Sequence, residues 1–214
     1  MSSMTIDATT LKAMFAAIAT AIESDRDRLC ALDGVIGDAD HGIAMELGFN
    51  AARDTVAALD QAVEPSAVFN AAAKSFLNAV GASSGPLYAT AFMRAGAAIK
   101  GKATLSDADF VAAFQAMAQG IRDRGKAEPG EKTMVDAWAP AAAAAGNALA
   151  EGKAAAATID AAAKAAAGGA EMTKDMVATK GRSSRLGERS IGHVDPGAAS
   201  AATVIRAMAD SLRG

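Results

Sequence analysis

The chain has 214 residues and a formal charge of −3 at pH 7, with 51% apolar but only 4% aromatic residues. That length can bury a full core, and the mildly acidic balance argues against nucleic acid as the main partner. A single cysteine, Cys30, excludes an internal disulfide and fits a reducing cytoplasm, and no run reaches the roughly 18 apolar residues of a membrane span.

Much of the apolar content is alanine, the best helix former and small enough to let helices approach closely. Periodicity and punctuation therefore predict an all-helical chain of about eight helices. The first covers roughly 8–31. Met14–Ile22 has the apolarity of a signal-peptide core, yet Leu11, Met14, Phe15, Ile18, Ile22 and Leu29 share one helical face, so the segment reads as an amphipathic helix. The second helix runs from about 41 to 60 on a stripe of Met45, Phe49, Ala52, Val56 and Leu59. Pro65-Ser66 opens the third, to about 80, and the fourth spans about 85–99. The fifth begins at Ser106-Asp107, where Ser106 and Asp109 match a capping box with Asp in place of Glu. The sixth is about 131–150, the seventh about 153–179 with Gly168-Gly169 inside it, and the last about 196–212. Short connections predict a single antiparallel domain over 1–214.

Polar punctuation gathers at 33–42, 81–86, 125–133 and 180–197. Each of these joins an odd-numbered helix to the next even one, so an up-and-down arrangement puts all four on one rim. In the first, Asp33, Asp38 and Asp40 crowd into eight residues ahead of His41. Carboxylates at that density repel unless a cation sits among them, and an all-oxygen set suits Mg²⁺ with substrate phosphates. The plainer reading is a solvated turn whose aspartates cap the next helix. In the second, Ser83 and Ser84 precede Gly85-Pro86 and open a helix, either as an ordinary cap or as a phosphate cradle at the positive helix end.

The third loop, GKAEPGEKT from Gly125, has one residue too many for a P-loop and no strand before it. Gly125 would let backbone approach a nucleotide, while Met134 is either core or a polarizable surface for a base. Lys132 and Thr133 read as first-turn residues of the sixth helix. The fourth loop carries Lys180, Arg182, Arg185 and Arg189 among glycines and serines, then Asp195-Pro196-Gly197 at the start of the last helix. A guanidinium there suits phosphate, and Asp195 is a cap for the last helix. Two histidines, His41 and His193, without other soft ligands make zinc improbable, and the aspartate spacing excludes an EF-hand. A serine–histidine hydrolase built on Ser83 or Ser84 with His41 lacks a nucleophile elbow.

GDADHG at 37–42, GASSGPLY at 81–88, RGKAEPGEKTMVDAW at 124–138 and GRSSRLGERSIGHVDPGA at 181–198 together resemble the ADP-binding L subunit of dihydroxyacetone kinase (DhaL type), in order and over essentially the whole chain. The resemblance implies an antiparallel barrel of eight amphipathic helices with the nucleotide on one rim. It implies two Mg²⁺ ions on Asp33, Asp38 and Asp40, and ADP or ATP lined by His41, Gly42, Ile43, Ala44, Ser83, Ser84, Gly125, Met134, Arg182, Asp195, Pro196 and Gly197. It also implies a kinase reaction in which Asp33, Asp38, Asp40 and Arg182 act on a phosphoryl group. The acceptor, dihydroxyacetone or a similar short ketose, would be held by a separate DhaK-type subunit. Either a DhaM-type phosphotransferase-system protein would rephosphorylate retained ADP, or ATP and ADP would exchange. A nucleotide-sensing module without turnover is the reading from another class.

Overall fold

The computed structural model describes residues 5–60, 62–81 and 83–213. Among them are eight α-helices: α1 (Ala8–Ile36), α2 (His41–Ala57), α3 (Pro65–Ala79), α4 (Ser84–Ala98), α5 (Asp107–Gly125), α6 (Val135–Ala150), α7 (Ala155–Met172) and α8 (Pro196–Ser211). Two 3₁₀ segments, Thr173–Asp175 and Ser183–Ser190, lie between α7 and α8. The sole β pairing among the described residues is an isolated bridge from Ile6 to Leu105. Among the described residues no helix is long and apolar enough to cross a membrane.

Each helix packs on its chain neighbour, and α8 packs on α1 as well as α7, so the eight close a ring. The predicted stripes are buried except at the end of the second, where α2 stops at Ala57 and Leu59 lies beyond it, only partly buried: Leu11, Met14, Phe15, Ile18 and Ile22 from α1 meet Met45, Phe49 and Ala52 from α2 inside the ring. Few aromatics suffice, because most of them meet. Phe49 lies edge-on to Phe76 at 5.0 Å and to Tyr88 at 5.3 Å, an arrangement the ring quadrupoles favour. Elsewhere small residues set the spacing. A Cβ on Gly169 would stand 2.0 Å from the Asp136 carbonyl oxygen, so α6 and α7 touch at backbone distance there. Gly169 therefore makes room for a neighbour, Gly168 has nothing within 4 Å, and α7 runs through both as one helix.

Three boundaries differ from the sequence reading, each for a tertiary reason. First, α1 continues to Ile36 because Asp33, four residues after Leu29, prolongs its buried stripe; Asp33 is thus a helical residue and not part of the loop. Second, α6 starts at Val135 rather than 131. Lys132 adopts a left-handed φ of 59°, and the Asp136 carboxylate takes the Thr133 N–H at 2.8 Å and the Gly130 N–H, folding the preceding residues into a cap. Third, α7 stops at Met172 rather than near 179. There the chain tightens into a 3₁₀ turn: the Thr173 carbonyl accepts the Met176 N–H at 3.2 Å as well as the Lys132 ammonium, and the Thr173 hydroxyl accepts the Asp195 N–H at 2.9 Å. The capping box on α5 is formed by Ser106 and Asp109, and Asp195 caps α8 by accepting from the Ala198 N–H at 2.7 Å.

Candidate functional site

The four odd-to-even loops converge, as the parity of the helices requires. They enclose one cavity of about 720 Å³ lined by residues from every one of them. Of the residues singled out from the sequence, Asp33, Asp38, Asp40, His41, Ile43, Ala44, Ser83, Ser84, Gly125, Met134, Arg182, Asp195, Pro196 and Gly197 all line it. Gly42 does not: it is buried against α1, where a Cβ would meet the Arg26 carbonyl oxygen at 2.1 Å. Ala82 lies outside the described residues.

The acidic cluster is assembled from a helix and a turn. Asp33 is only 8% exposed, and its Oδ2 accepts the N–H groups of Asp40 at 3.0 Å and His41 at 3.3 Å. The previous helix therefore caps α2, while Asp40, in the N-cap position, makes no side-chain cap bond. That leaves the carboxylates of Asp38 and Asp40 exposed and free for other partners. One oxygen from each of the three aspartates lies within 4.8 Å of the others. A cationic group already reaches in: Arg182 Nη1 is ion-paired with Asp38 Oδ2 and stands 3.7 Å from Asp40 Oδ2. The donor set is all oxygen and anionic, and a guanidinium stands in for the cation. Both features fit a hard divalent ion.

The start of α4 lines the same cavity. Ser83 holds a φ of 66° at the N-cap, and its hydroxyl makes no cap bond, so the ordinary serine cap expected there is not formed. The first N–H groups of α4 keep the anion-attracting character of an uncapped helix start. The start of α8 differs, because the Asp195 carboxylate already occupies its cap position. Burial pushes the Asp195 carboxyl up to about 7, against the Ala198 N–H and the nearby Lys132 charge, which favour its ionised form. Burial likewise lowers the His41 imidazole, opposed by Asp33, and His41 Nε2 sits 2.9 Å from the Ser200 hydroxyl. Met134 belongs to the core, at 7% exposed, and also forms part of the cavity wall. Leu47, Leu87 and Ile121 complete an apolar side.

Two features escaped the sequence reading. Lys132 is no first-turn residue: it is buried, its ammonium bonds the carbonyls of Thr173 and His193, and burial lowers its pKa against the charges of Asp195, Asp136 and Asp175. Asp136 organises the loop before α6. The Thr133-x-x-Asp136 spacing was a usable signal for the latter, since it is a capping-box pattern; nothing local announces the former. A second groove, about 550 Å³ among α1, α7 and α8, is lined mostly by alanines and by charges paired with one another, such as Asp25 with Arg28.

Eight helices closed into a ring, with their polar loops gathered around one cavity, define an all-α class of protein. A family model, the DAK2 domain, matches residues 35–210. The chain belongs to the DAK2-domain family, DhaL type. It is 38% identical, over 87% of its length and 88% of the relative's, to the ADP-binding subunit DhaL of PEP-dependent dihydroxyacetone kinase 1 from Listeria innocua. It is 37% identical, with the same coverages, to the corresponding Escherichia coli subunit. The D-erythrulose kinase of Mycolicibacterium smegmatis is 35% identical over 92% of this chain, which spans 34% of that enzyme. The crystal structure of the C. freundii dihydroxyacetone kinase with AMP-PNP and Mg²⁺ superposes with a TM-score of 0.71 at 25% identity, over 94% of this chain and 33% of that one.

Proposed function

We propose that this chain is one nucleotide-binding domain serving as the ADP/ATP-holding subunit of a kinase that phosphorylates dihydroxyacetone or a similar short ketose. The observation that carries this is the meeting of three carboxylates, an uncapped helix start and an arginine on one cavity. The names of the relatives and the nucleotide in the C. freundii complex support it.

Asp33, Asp38 and Asp40 would hold two Mg²⁺ ions. Bound Mg²⁺–nucleotide supplies the phosphoryl group and neutralises charge on its oxygens. The chain's own contribution is positioning and electrostatics. Asp33 is fixed by its place on α1 and by the two N–H groups it accepts, so it sets the depth of the site. The start of α4 at Ser83 and Ser84 directs N–H groups toward phosphate. Arg182, released from Asp38 and Asp40 once they take a metal, has a planar fork suited to the charge of a transferring phosphoryl group. His41, Ile43, Ala44, Gly125, Met134 and the Asp195-Pro196-Gly197 turn would surround the nucleoside. Gly42 contributes by letting α2 start against α1 rather than by contact.

The ketose would be presented by a separate DhaK-type subunit. Relatives that this chain covers nearly end to end are ADP-binding subunits of PEP-dependent enzymes, which favours ADP retained and rephosphorylated by a DhaM-type donor over free exchange. The test is calorimetry on Asp38→Ala and Asp40→Ala. Mg²⁺-dependent ADP binding is expected to weaken by about 100-fold or more while helicity is kept, since each variant removes a direct charge on the ion. Unchanged affinity in either variant sinks the reading.

A further inference from the structure

The segment between α7 and α8 leaves the ring at Thr173 and returns at His193, and its outer part carries Arg182 to the acidic cluster. Its two ends are pinned together. The Gly192 N–H donates to the Lys174 carbonyl at 2.7 Å, the Asp195 N–H to the Thr173 hydroxyl at 2.9 Å, and the Ala178 N–H to the Ser190 hydroxyl at 2.9 Å. At the centre of that neck lies a charge from a third element. The Lys132 ammonium, from the loop between α5 and α6, donates to the carbonyl of Thr173 and to that of His193. Two carbonyl oxygens facing one another repel unless a donor stands between them, and a cation is the strongest such donor.

Lys132 is a costly choice for a role that local structure does not demand. It is 1% exposed and holds a left-handed φ of 59°, which is strained for a residue with a Cβ. Its charge is offset by Asp136, Asp175 and Asp195, which come from three different segments. Lys132 also lines the cavity with Met134, so one residue belongs both to the site and to the neck of the loop. We infer that Lys132 is a positioning residue: its ammonium closes the neck of the 174–192 loop and thereby fixes where Arg182 stands relative to the acidic cluster. The inference rests on the kinase reading for its consequence in turnover, whereas the clamp itself does not depend on it.

The test uses the full chain carrying Lys132→Met or Lys132→Arg, with circular dichroism to check the fold. Trypsin sites at Lys174, Lys180, Arg182, Arg185 and Arg189 lie within the loop, and mass spectrometry gives its rate of cutting. In Lys132→Met the loop is expected to be cut about ten-fold faster, with cutting elsewhere unchanged, because its neck opens locally. Lys132→Arg, which keeps a cation able to reach both carbonyls, should stay within about three-fold of the unaltered chain. With a DhaK-type partner and its ketose, kcat of Lys132→Met should fall about ten-fold while the Kd for Mg²⁺–ADP rises less than about three-fold, the split expected if Arg182 rather than the carboxylates is misplaced. Unchanged loop cutting in folded Lys132→Met overturns the inference, as does equally fast cutting in both variants, equal losses in kcat and affinity, or failure of both to fold. If the unaltered chain binds no Mg²⁺–ADP, the kinase reading fails by itself, and the cutting rates still decide the clamp.

Discussion

Arg182 and the aspartates it meets are each about half exposed. An ion pair so placed contributes on the order of 0–1 kcal/mol, enough to compete with a metal but not to exclude it. Arg182→Ala is therefore expected to bind Mg²⁺ alone up to about five-fold more tightly, since a gain of this size follows from removing one exposed pair. The same variant should lose turnover by about 1,000-fold if the guanidinium bears on the transferring group. Calorimetry with Mg²⁺ and a coupled kinase assay measure the two effects, and their opposite signs separate a competing cation from a metal-supporting one. Asp33 belongs to the same scale. Its chemistry as a carboxylate was legible, but its place was not, because a carboxylate that extends an apolar stripe looks in sequence like the end of a helix.

Between elements, the α6–α7 and α7–α8 contacts give sharper expectations. Gly169→Ala places a methyl carbon 2.0 Å from the Asp136 oxygen and 3.0 Å from Pro140 Cγ, so the helices must part, at a cost of about 1–3 kcal/mol. At Gly168 nothing lies within 4 Å, and alanine there should stabilise by up to about 1 kcal/mol through helix propensity. Thermal unfolding should thus shift in opposite directions for adjacent glycines. Asp160 ties α7 to α8 by accepting from Arg206 at 2.9 Å and pairing with Lys164 at 3.0 Å, with Arg213 also on it. The Lys164 and Arg206 bonds hold its carboxyl down to about 2 from an ordinary 3.8. A depressed folded pKa means that its stabilisation is present above pH 3.8 and lost as pH falls toward 2. Asp160→Asn should therefore unfold more easily at pH 7, by about 1 kcal/mol because the partners are solvent-exposed. The difference should vanish near the foot of that range in denaturant titrations run at several pH values.

For the whole molecule, the number of helices, their buried faces and the parity that gathers four loops on one rim could all be read in advance. Helical periodicity and capping are local, arising from residues three and four apart, and Leu11, Phe15, Ile18 and Ile22 or Ser106 and Asp109 carry that information in themselves. The site was legible to the extent that it consists of loop residues of the right chemistry on that rim. What only the tertiary structure decided are the contacts that cross between loops: Arg182 on Asp38, and Lys132 on carbonyls 41 and 61 residues away. Those depend on ring closure, which brings α8 onto α1 and the 174–192 loop over the aspartates. A lysine in the middle of a polar run reads as solvated until packing removes the water around it and leaves two backbone oxygens as its partners.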